Sequence, residues 1–234
     1  GPSVGGHFHS HMPEYSFETW PALDHVVMFE GEETFVDLVE TLNRGGDLSR
    51  VAGIATRESG VVRVNPPRKL LTLDDIPSPA YDLLPIHKYS PFGKLWHKAI
   101  TIQGSRGCPY ACNFCSWSAL EGDHELLPDG TMRLNPVRRQ IPVERVLEEI
   151  DLLYNKHRIR YLFWVDATWN YDDEWLDQLC SELIRREYKL GWWAFVRADL
   201  MLEQEKKGLL EKMVKAGLRH CLFGGERPVK EELE

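Results

Sequence analysis

The sequence has no long apolar run and no excess of basic residues. Its longest apolar runs, such as residues 161–165, are far too short to cross a bilayer. No basic segment followed by an apolar one opens the chain, so nothing in it directs secretion. The net charge of −8 argues against a nucleic-acid partner, because binding a nucleic-acid backbone needs a basic surface. We therefore expect a cytoplasmic protein with no membrane span and no nucleic-acid partner.

Cysteine is also scarce, with five in 234 residues. A secreted disulfide framework would carry more cysteines in a shorter chain, so we expect a reducing compartment. Cys180 and Cys221 lie on a predicted helix and a predicted strand, where buried, inert thiols are common. The other three, Cys108, Cys112 and Cys115, lie within eight residues. Their concentration in one loop makes that loop the first candidate site.

Proline is concentrated in one stretch, since six of the fourteen prolines lie between Pro66 and Pro91. Proline fixes φ and removes a hydrogen-bond donor, so this stretch cannot be a long helix or a central strand. It predicts an extended connection between two domains, with a long surface loop inside one domain as the alternative. We place the first domain at residues 1–65, the connection at 66–97 and the second domain at 98–234.

The segment before this connection has the pattern of an α/β fragment. Residues 24–31 predict a buried strand, and an amphipathic helix follows that ends at Gly45. The apolar positions of that helix, spaced i, i+3, i+4 and i+7, are Phe35, Leu38, Val39 and Leu42. Residues 53–64 then predict two short strands joined as a hairpin.

After the connection, apolar strands alternate with amphipathic helices. The predicted strands cover residues 98–103, 159–166, 191–199 and 218–226, and the predicted helices cover 142–157, 172–188 and 205–217. This alternation indicates a parallel sheet with right-handed crossovers. The long segment from Ser116 to Arg139 is predicted as a loop that covers a substrate, or as disordered surface.

The three clustered cysteines have the spacing C-x3-C-x2-C. Structural zinc prefers four closed ligands, usually as two cysteine pairs, and here only His97 or His124 could supply a fourth. A cubane iron–sulfur cluster is ordinarily held by four thiolates, so three would leave one iron open to bind another molecule. The spacing favours the cluster, while structural zinc and unliganded thiols remain as alternatives.

The motif "GCPYACNFC" (residues 107–115) resembles the signature of the radical S-adenosylmethionine superfamily, which has an aromatic residue just before the last cysteine. The resemblance implies a [4Fe-4S] cluster on Cys108, Cys112 and Cys115, whose open iron chelates S-adenosylmethionine. It also implies an α/β fold in which residues 98–234 form part of a (β/α)6 barrel. In that superfamily, reduction cleaves S-adenosylmethionine to methionine and a 5′-deoxyadenosyl radical.

The flanking sequence is similar to the subgroup with a cobalamin-binding domain. Residues 139–169 and 191–226 resemble that subgroup's barrel, and residues 1–65 resemble the second half of its Rossmann-like cobalamin-binding domain. The resemblance therefore covers nearly the whole chain and implies cobalamin as a third cofactor. The first half of that domain, with any D-x-H-x-x-G motif, and the end of the barrel are not in the sequence.

Several residues take roles by this resemblance. Phe114 would lie against the adenine, with a core aromatic as the alternative. Arg197 and Glu226, at the ends of two predicted strands, would bind S-adenosylmethionine, with a strand-end salt bridge as the alternative for each. Asp166 ends another predicted strand, where catalytic residues of barrels gather, and is the candidate catalytic residue.

The cobalamin-binding candidates lie in the first domain. By resemblance, the cobalamin nucleotide tail would contact two glycine-containing turns, which could equally be simple turns. Their residues are Gly5, Gly6, Glu30, Gly31 and Glu32.

The resemblance implies an enzyme that acts on a small-molecule substrate and takes electrons from a donor such as flavodoxin or ferredoxin. Methylation of an unactivated centre is the favoured reaction, and oxidative ring formation of the anaerobic magnesium-protoporphyrin monomethyl ester cyclase type is the alternative. A tRNA methylthiotransferase would need further cysteines in residues 1–98, which contain none. A non-catalytic cobalamin or cluster sensor is a further alternative.

Overall fold

The computed structural model describes residues 1–74, 76–88, 99–110 and 112–225. The chain divides into two compact units, the first with residues 1–72 and 107–138 and the second with residues 73–106 and 139–234. The chain therefore leaves the first unit after residue 72 and returns to it at residue 107. Within the described ranges, no helix is both long enough and apolar enough to span a bilayer.

Residues 1–72 form a four-stranded sheet with helices. The elements in chain order are β1 (Ser3–Gly5), α1 (His7–His11), α2 (Pro13–Thr19), β2 (His25–Val27), α3 (Gly31–Arg44), β3 (Ile54–Glu58) and β4 (Val61–Val64). The strands lie in the order β1-β2-β3-β4. β1 pairs with β2 in parallel, whereas β2 with β3 and β3 with β4 are antiparallel. The strand, helix and hairpin predicted here are confirmed.

Helix α3 ends as predicted and buries only part of its apolar face. Gly45 follows it in the left-handed conformation, at φ 63°, which a glycine adopts without steric cost. Of the four predicted apolar positions only Leu38 is buried, together with Thr34. The other three, Phe35, Val39 and Leu42, are exposed. The predicted apolar face is therefore mostly exposed, because apolar periodicity marks a face without showing what covers it.

Short elements fill the segment around the cysteines. They are β5 (Ala99–Ile102), β6 (Ser105–Gly107), α4 (Trp117–Glu121), β7 (Asp123–Leu126), β8 (Met132–Asn135) and β9 (Arg138–Gln140). β6 pairs with β9, and β7 pairs antiparallel with β8. The segment from Ser116 to Arg139, which the sequence predicts as a loop, therefore contains a short helix and a hairpin.

The second unit is a parallel sheet with helical crossovers. Its later elements are α5 (Val143–Asn155), β10 (Tyr161–Trp164), α6 (Asp173–Arg185), β11 (Gly191–Phe195), α7 (Ala198–Lys206), α8 (Leu209–Ala216) and β12 (Leu218–Leu222). Single turns of 3₁₀ helix lie at Leu48–Arg50, Tyr81–Leu83, Ile86–Lys88 and Trp169–Tyr171. The strands lie in the order β12-β11-β10-β5, with every pair parallel. The predicted mixed α/β class with a parallel sheet is confirmed. The last strand ends at Leu222, before the predicted end at residue 226.

The main core of this unit lies between the sheet and its helices. α5 contributes Ile150 and Leu153, and α6 contributes Leu176 and Leu179, all fully buried. Three tryptophans, Trp164, Trp169 and Trp192, are also fully buried and pack against one another. Burial of such large apolar side chains contributes about 2–3 kcal/mol each, which makes this layer a rigid support for the strand ends.

Candidate active site

The three motif cysteines lie on a turn that directly follows β6. Cys108 and Cys115 are partly buried, Cys112 is exposed, and no disulfide joins them. The Cys115 N–H donates to the Cys112 carbonyl at 3.1 Å, which closes the C-x2-C half of the motif into a turn. The structure therefore presents the three thiols on one accessible segment of the first unit. Ala111, between them, lies outside the described residues.

Gly107 fixes the approach of the chain to Cys108. Its φ of +79° lies in the region that favours glycine. A Cβ at this position would lie 2.1 Å from the Val137 carbonyl oxygen, far inside van der Waals contact. Both the backbone angle and the available space therefore require glycine immediately before the first motif cysteine.

Glu121 connects the two ends of the cysteine turn. One carboxylate oxygen, Oε2, accepts the Gly107 N–H at 2.6 Å and the Trp117 indole N–H at 3.2 Å. Gly107 precedes Cys108, and Trp117 lies two residues after Cys115. In the sequence, nothing in the spacing of Glu121 distinguishes it from the other acidic residues of the predicted loop.

Three thiols on one turn are a donor set that a cubane cluster with one open iron can use. The described part of the chain holds no group of three or more His, Cys, Asp or Glu side chains that could hold one metal ion. In a cubane each thiolate binds a different iron, so the thiols need to share a turn without converging on one point. Of the histidines considered for zinc, His124 stacks on Phe29 with ring centroids 3.9 Å apart, and His97 lies outside the described residues.

Phe114 is well exposed on the cysteine turn, at 79% of its surface. It is therefore not a core side chain, which was the alternative to its expected place against the adenine.

The two cysteines outside the motif differ from each other. Cys180 is fully buried on α6, where burial raises its pKa to about 12, as expected of an inert thiol. Cys221 is exposed, so the expectation of a buried thiol was wrong there.

Asp166 lies in the second unit, just after β10, and is only 1% exposed. Its carboxylate accepts the Gly104 N–H at 3.1 and 3.0 Å and the Ser105 hydroxyl at 2.6 Å. These bonds hold the turn between β5 and β6. A buried carboxylate engaged in this way stabilises the backbone that leads toward the cysteine motif.

Arg197 follows β11, and its guanidinium makes two bonds to Asp199, at 3.0 and 2.8 Å. Its backbone is held by the fully buried Asn170, which accepts the Arg197 N–H at 2.9 Å and donates to the Arg197 carbonyl at 3.1 Å. Asn170 also bonds Gln204. No sequence pattern predicted a role for Asn170 or Gln204. Glu226 lies outside the described residues.

The cobalamin-binding candidates occupy two neighbouring strand ends of the first unit. Gly5 ends β1, and Gly6 follows at φ 108°, just before α1. Glu30 accepts the Leu71 N–H at 3.0 Å. Gly31 begins α3, and Glu32 lies in its first turn, where an acidic side chain suits the helix dipole. Because β1 and β2 are paired in parallel, the two turns share one edge of the sheet.

The chain is similar in sequence to several known proteins. No protein-family model matches the chain. The chain is 32% identical over 228 residues to an uncharacterized methyltransferase of Pyrococcus horikoshii, covering 95% of this chain and 44% of the relative. It is 27% identical over 219 residues to the anaerobic magnesium-protoporphyrin IX monomethyl ester cyclase of Rubrivivax gelatinosus, covering 92% of this chain and 36% of the relative.

A third relative is named for its cofactors. The cobalamin-dependent radical SAM methyltransferase TokK of Streptomyces tokunonensis is 30% identical over 175 residues, covering 70% of this chain and 22% of the relative. The chain is therefore similar to radical S-adenosylmethionine enzymes of the cobalamin-binding subgroup. The resemblance inferred from the motif and its flanks is thereby confirmed. The chain spans less than half the length of each of these relatives.

Solved structures of this family share the fold. The cobalamin-dependent S-adenosylmethionine radical enzyme OxsB, with aqua-cobalamin and S-adenosylmethionine bound, superposes with a TM-score of 0.74 at 24% identity, covering 99% of this chain and 32% of that one. The methyltransferase TsrM from Kitasatospora setae, with cobalamin and a [4Fe-4S] cluster bound, gives 0.68 at 18% identity, covering 99% and 42%. At these identities the likeness is one of fold.

Proposed function

We propose that this chain carries the cofactor-binding part of a cobalamin-dependent radical S-adenosylmethionine enzyme that methylates an unactivated centre of a small molecule. The observation that carries the proposal is the accessible turn of Cys108, Cys112 and Cys115 behind a position that only glycine can occupy. Methyl transfer is favoured because the relative from Pyrococcus horikoshii, at 32% identity, is named a methyltransferase.

The cysteines would hold the cluster, and the open iron would take S-adenosylmethionine. When bound, these groups supply a 5′-deoxyadenosyl radical, and cobalamin supplies the methyl group. The protein's own part is to hold and orient them. Phe114 offers an exposed ring to the adenine from within the cysteine turn. The cluster would be reduced by a donor such as flavodoxin or ferredoxin.

In the second unit, Arg197 and Glu226 would bind S-adenosylmethionine. The Arg197 guanidinium makes two bonds to Asp199, which is the salt bridge expected as the alternative. A ligand carboxylate would therefore bind by displacing Asp199 or through the remaining guanidinium N–H groups. For Asp166, burial and three hydrogen bonds support a positioning role on the Gly104–Ser105 turn more than direct contact with substrate. We keep it in the proposed site in that role.

We further propose that residues 1–65 are the second half of a Rossmann-like cobalamin-binding domain, that 66–97 connect it to the barrel, and that 98–234 are the first part of a (β/α)6 barrel. The four parallel strands with helical crossovers support the barrel. The shared edge of β1 and β2 supports cobalamin contacts at Gly5, Gly6 and residues 30–32. A cytoplasmic location agrees with chemistry that needs a reduced cluster.

Ring formation is the second candidate reaction. The 27% identity to the Rubrivivax gelatinosus cyclase extends over 92% of the chain, which supports this reaction. The readout that separates them is the product: methyl transfer adds one carbon to the substrate, whereas oxidative cyclisation adds none.

Anaerobic reconstitution with iron and sulfide tests the proposal. The wild-type chain should take up one cluster with broad visible absorption, and the Cys108→Ala/Cys112→Ala/Cys115→Ala variant should take up none. Cys221→Ala is the matched control, because it removes an exposed cysteine outside the motif and should leave uptake unchanged. Equal uptake by the triple variant and the control would refute the proposal. With reductant and S-adenosylmethionine, the loaded protein should form 5′-deoxyadenosine.

A further inference from the structure

Glu121 is not part of the cysteine motif, but its carboxylate lies beside the cysteine turn. It is the last residue of α4, the short helix that follows the cysteine turn. Its Oε2 receives two N–H donors, one from the backbone at Gly107 and one from the indole of Trp117. The backbone of α4 also lies close by, since a Cβ on Gly107 would be 3.3 Å from the Glu121 carbonyl oxygen.

We propose that Glu121 is a positioning residue for the iron–sulfur cluster: it ties both ends of the cysteine turn to one oxygen and holds a negative charge beside that turn. The inference rests on the proposed function, because it presumes that the cysteines bind a cluster. Its content is separate, since neither the motif nor the family's ligand set includes this residue.

The hydrogen bond from the Gly107 N–H to Glu121 fixes the backbone immediately before Cys108. Gly107 adopts φ +79°, and its N–H donates to Glu121 Oε2 at 2.6 Å. The bond to Trp117 controls the other end, because Trp117 starts α4 two residues after Cys115. A single side chain thus limits how far apart the first and last thiols can move. Such outer partners of metal ligands typically change affinity about 10- to 100-fold when removed.

The negative charge of Glu121 should affect the reduction potential of the cluster, in addition to the geometric effect of its hydrogen bonds. Cluster reduction adds an electron, and the potential depends on net charge and hydrogen bonding near the cluster. A carboxylate bonded to the residue before Cys108 therefore disfavours reduction, and a neutral replacement should favour it.

The experiment compares Glu121→Ala, Glu121→Gln and Trp117→Phe with Glu125→Gln after anaerobic reconstitution. Glu125 is the matched control, because it also loses one carboxylate from this segment but pairs with Arg133 of the β7–β8 hairpin instead of the cysteine turn. The measurements are the rate of iron release to a chelator and the midpoint potential of the cluster. Thermal unfolding of the cluster-free variants shows that each one folds.

We expect Glu121→Ala to release iron about 10- to 100-fold faster than the control. Glu121→Gln keeps an acceptor oxygen, so it should restore retention while shifting the potential to a less negative value than the control. Trp117→Phe removes only one donor and should lie between them. The inference is overturned if Glu121→Ala releases iron at the control rate, or if Glu121→Gln has the control's potential. If the wild-type protein takes up no cluster, the proposed function itself fails.

Discussion

Asn170 holds the backbone of Arg197 from both sides, accepting its N–H at 2.9 Å and donating to its carbonyl at 3.1 Å. Asn170 is fully buried. Gln204 accepts a hydrogen bond from the Asn170 side-chain amide at 3.0 Å and donates one to the Asn170 backbone carbonyl at 2.8 Å. The end of β11, where Arg197 leaves the sheet, is therefore set by an amide pair in the interior of the second unit.

Replacing Asn170 by alanine should lower the free energy of unfolding by about 2–3 kcal/mol, because it leaves buried backbone and amide groups without partners. Chemical denaturation of the cluster-free protein measures this. Asn155→Ala, at the exposed end of α5, is the control and should change stability little. A loss in Asn170→Ala no larger than in the control would contradict the assignment.

Removing the Asp166 carboxylate should destabilise the turn between β5 and β6. Asp166→Ala removes an acceptor for two buried donors and should cost about 3 kcal/mol of unfolding free energy. Ser105→Ala removes one of those donors and should cost about 1 kcal/mol. Denaturation midpoints of the two variants separate the contributions. A stable Asp166→Ala protein that has lost only its turnover would instead indicate direct contact with the substrate.

The sequence predicted the parts of this architecture that depend on local pattern. Alternating strands and helices appear at the expected places, and the glycine that ends α3 does so for the expected reason. The exposed Phe35 and Val39 show the limit, since periodicity does not reveal what lies opposite a helix. The β7–β8 hairpin lacks the apolar alternation that predicts strands. The sequence feature that could have predicted it is the turn at Asp129 and Gly130, where Asp129 accepts the Thr131 N–H.

The missed site residues act over long sequence separations. Asn170 meets Gln204 across 34 positions, and Glu121 meets Gly107 across 14. A polar side chain that is buried against a distant partner has the same sequence signature as one in solvent. Motif residues are different, because their spacing is itself the chemical requirement. This is why the cysteines could be predicted from the sequence, whereas Asn170, Gln204 and Glu121 could not.

A carboxyl in the second unit should make stability depend on pH. Burial raises the pKa of Glu149, whose carboxylate receives the Tyr81 hydroxyl. A raised carboxyl pKa means that the folded state binds the proton more tightly, so this stabilisation is full below the ordinary glutamate pKa and is lost as the pH rises through the raised value.

Glu149→Gln keeps an acceptor for Tyr81 without the buried charge. We expect it to be more stable than wild type at pH 7, with the difference vanishing in acid. Thermal unfolding from pH 4 to pH 8 measures the two curves. Glu148 is adjacent in sequence but exposed, so the stability of Glu148→Gln should change with pH in the same way as that of wild type. A Glu149→Gln curve that also runs parallel would refute the raised pKa.

The glycine before the first motif cysteine provides the sharpest test of the site's geometry. Gly107 and Gly130 both have a positive φ, +79° and +84°. A Cβ on Gly107 would collide with the Val137 carbonyl oxygen at 2.1 Å, whereas a Cβ on Gly130 would meet nothing within 4 Å. The two positions therefore share the backbone requirement and differ only in space.

Gly130→Ala should lower the free energy of unfolding by about 1–2 kcal/mol, the cost of a left-handed alanine, and should take up iron normally. Gly107→Ala carries the same strain and must also displace the chain at Cys108, so its iron content after reconstitution should fall about tenfold or more. Iron and sulfide analysis, with visible absorption, measures both. Equal iron in the two variants would mean that the cysteine turn tolerates a shifted entry, and that the close approach of Gly107 to Val137 does not position the cluster.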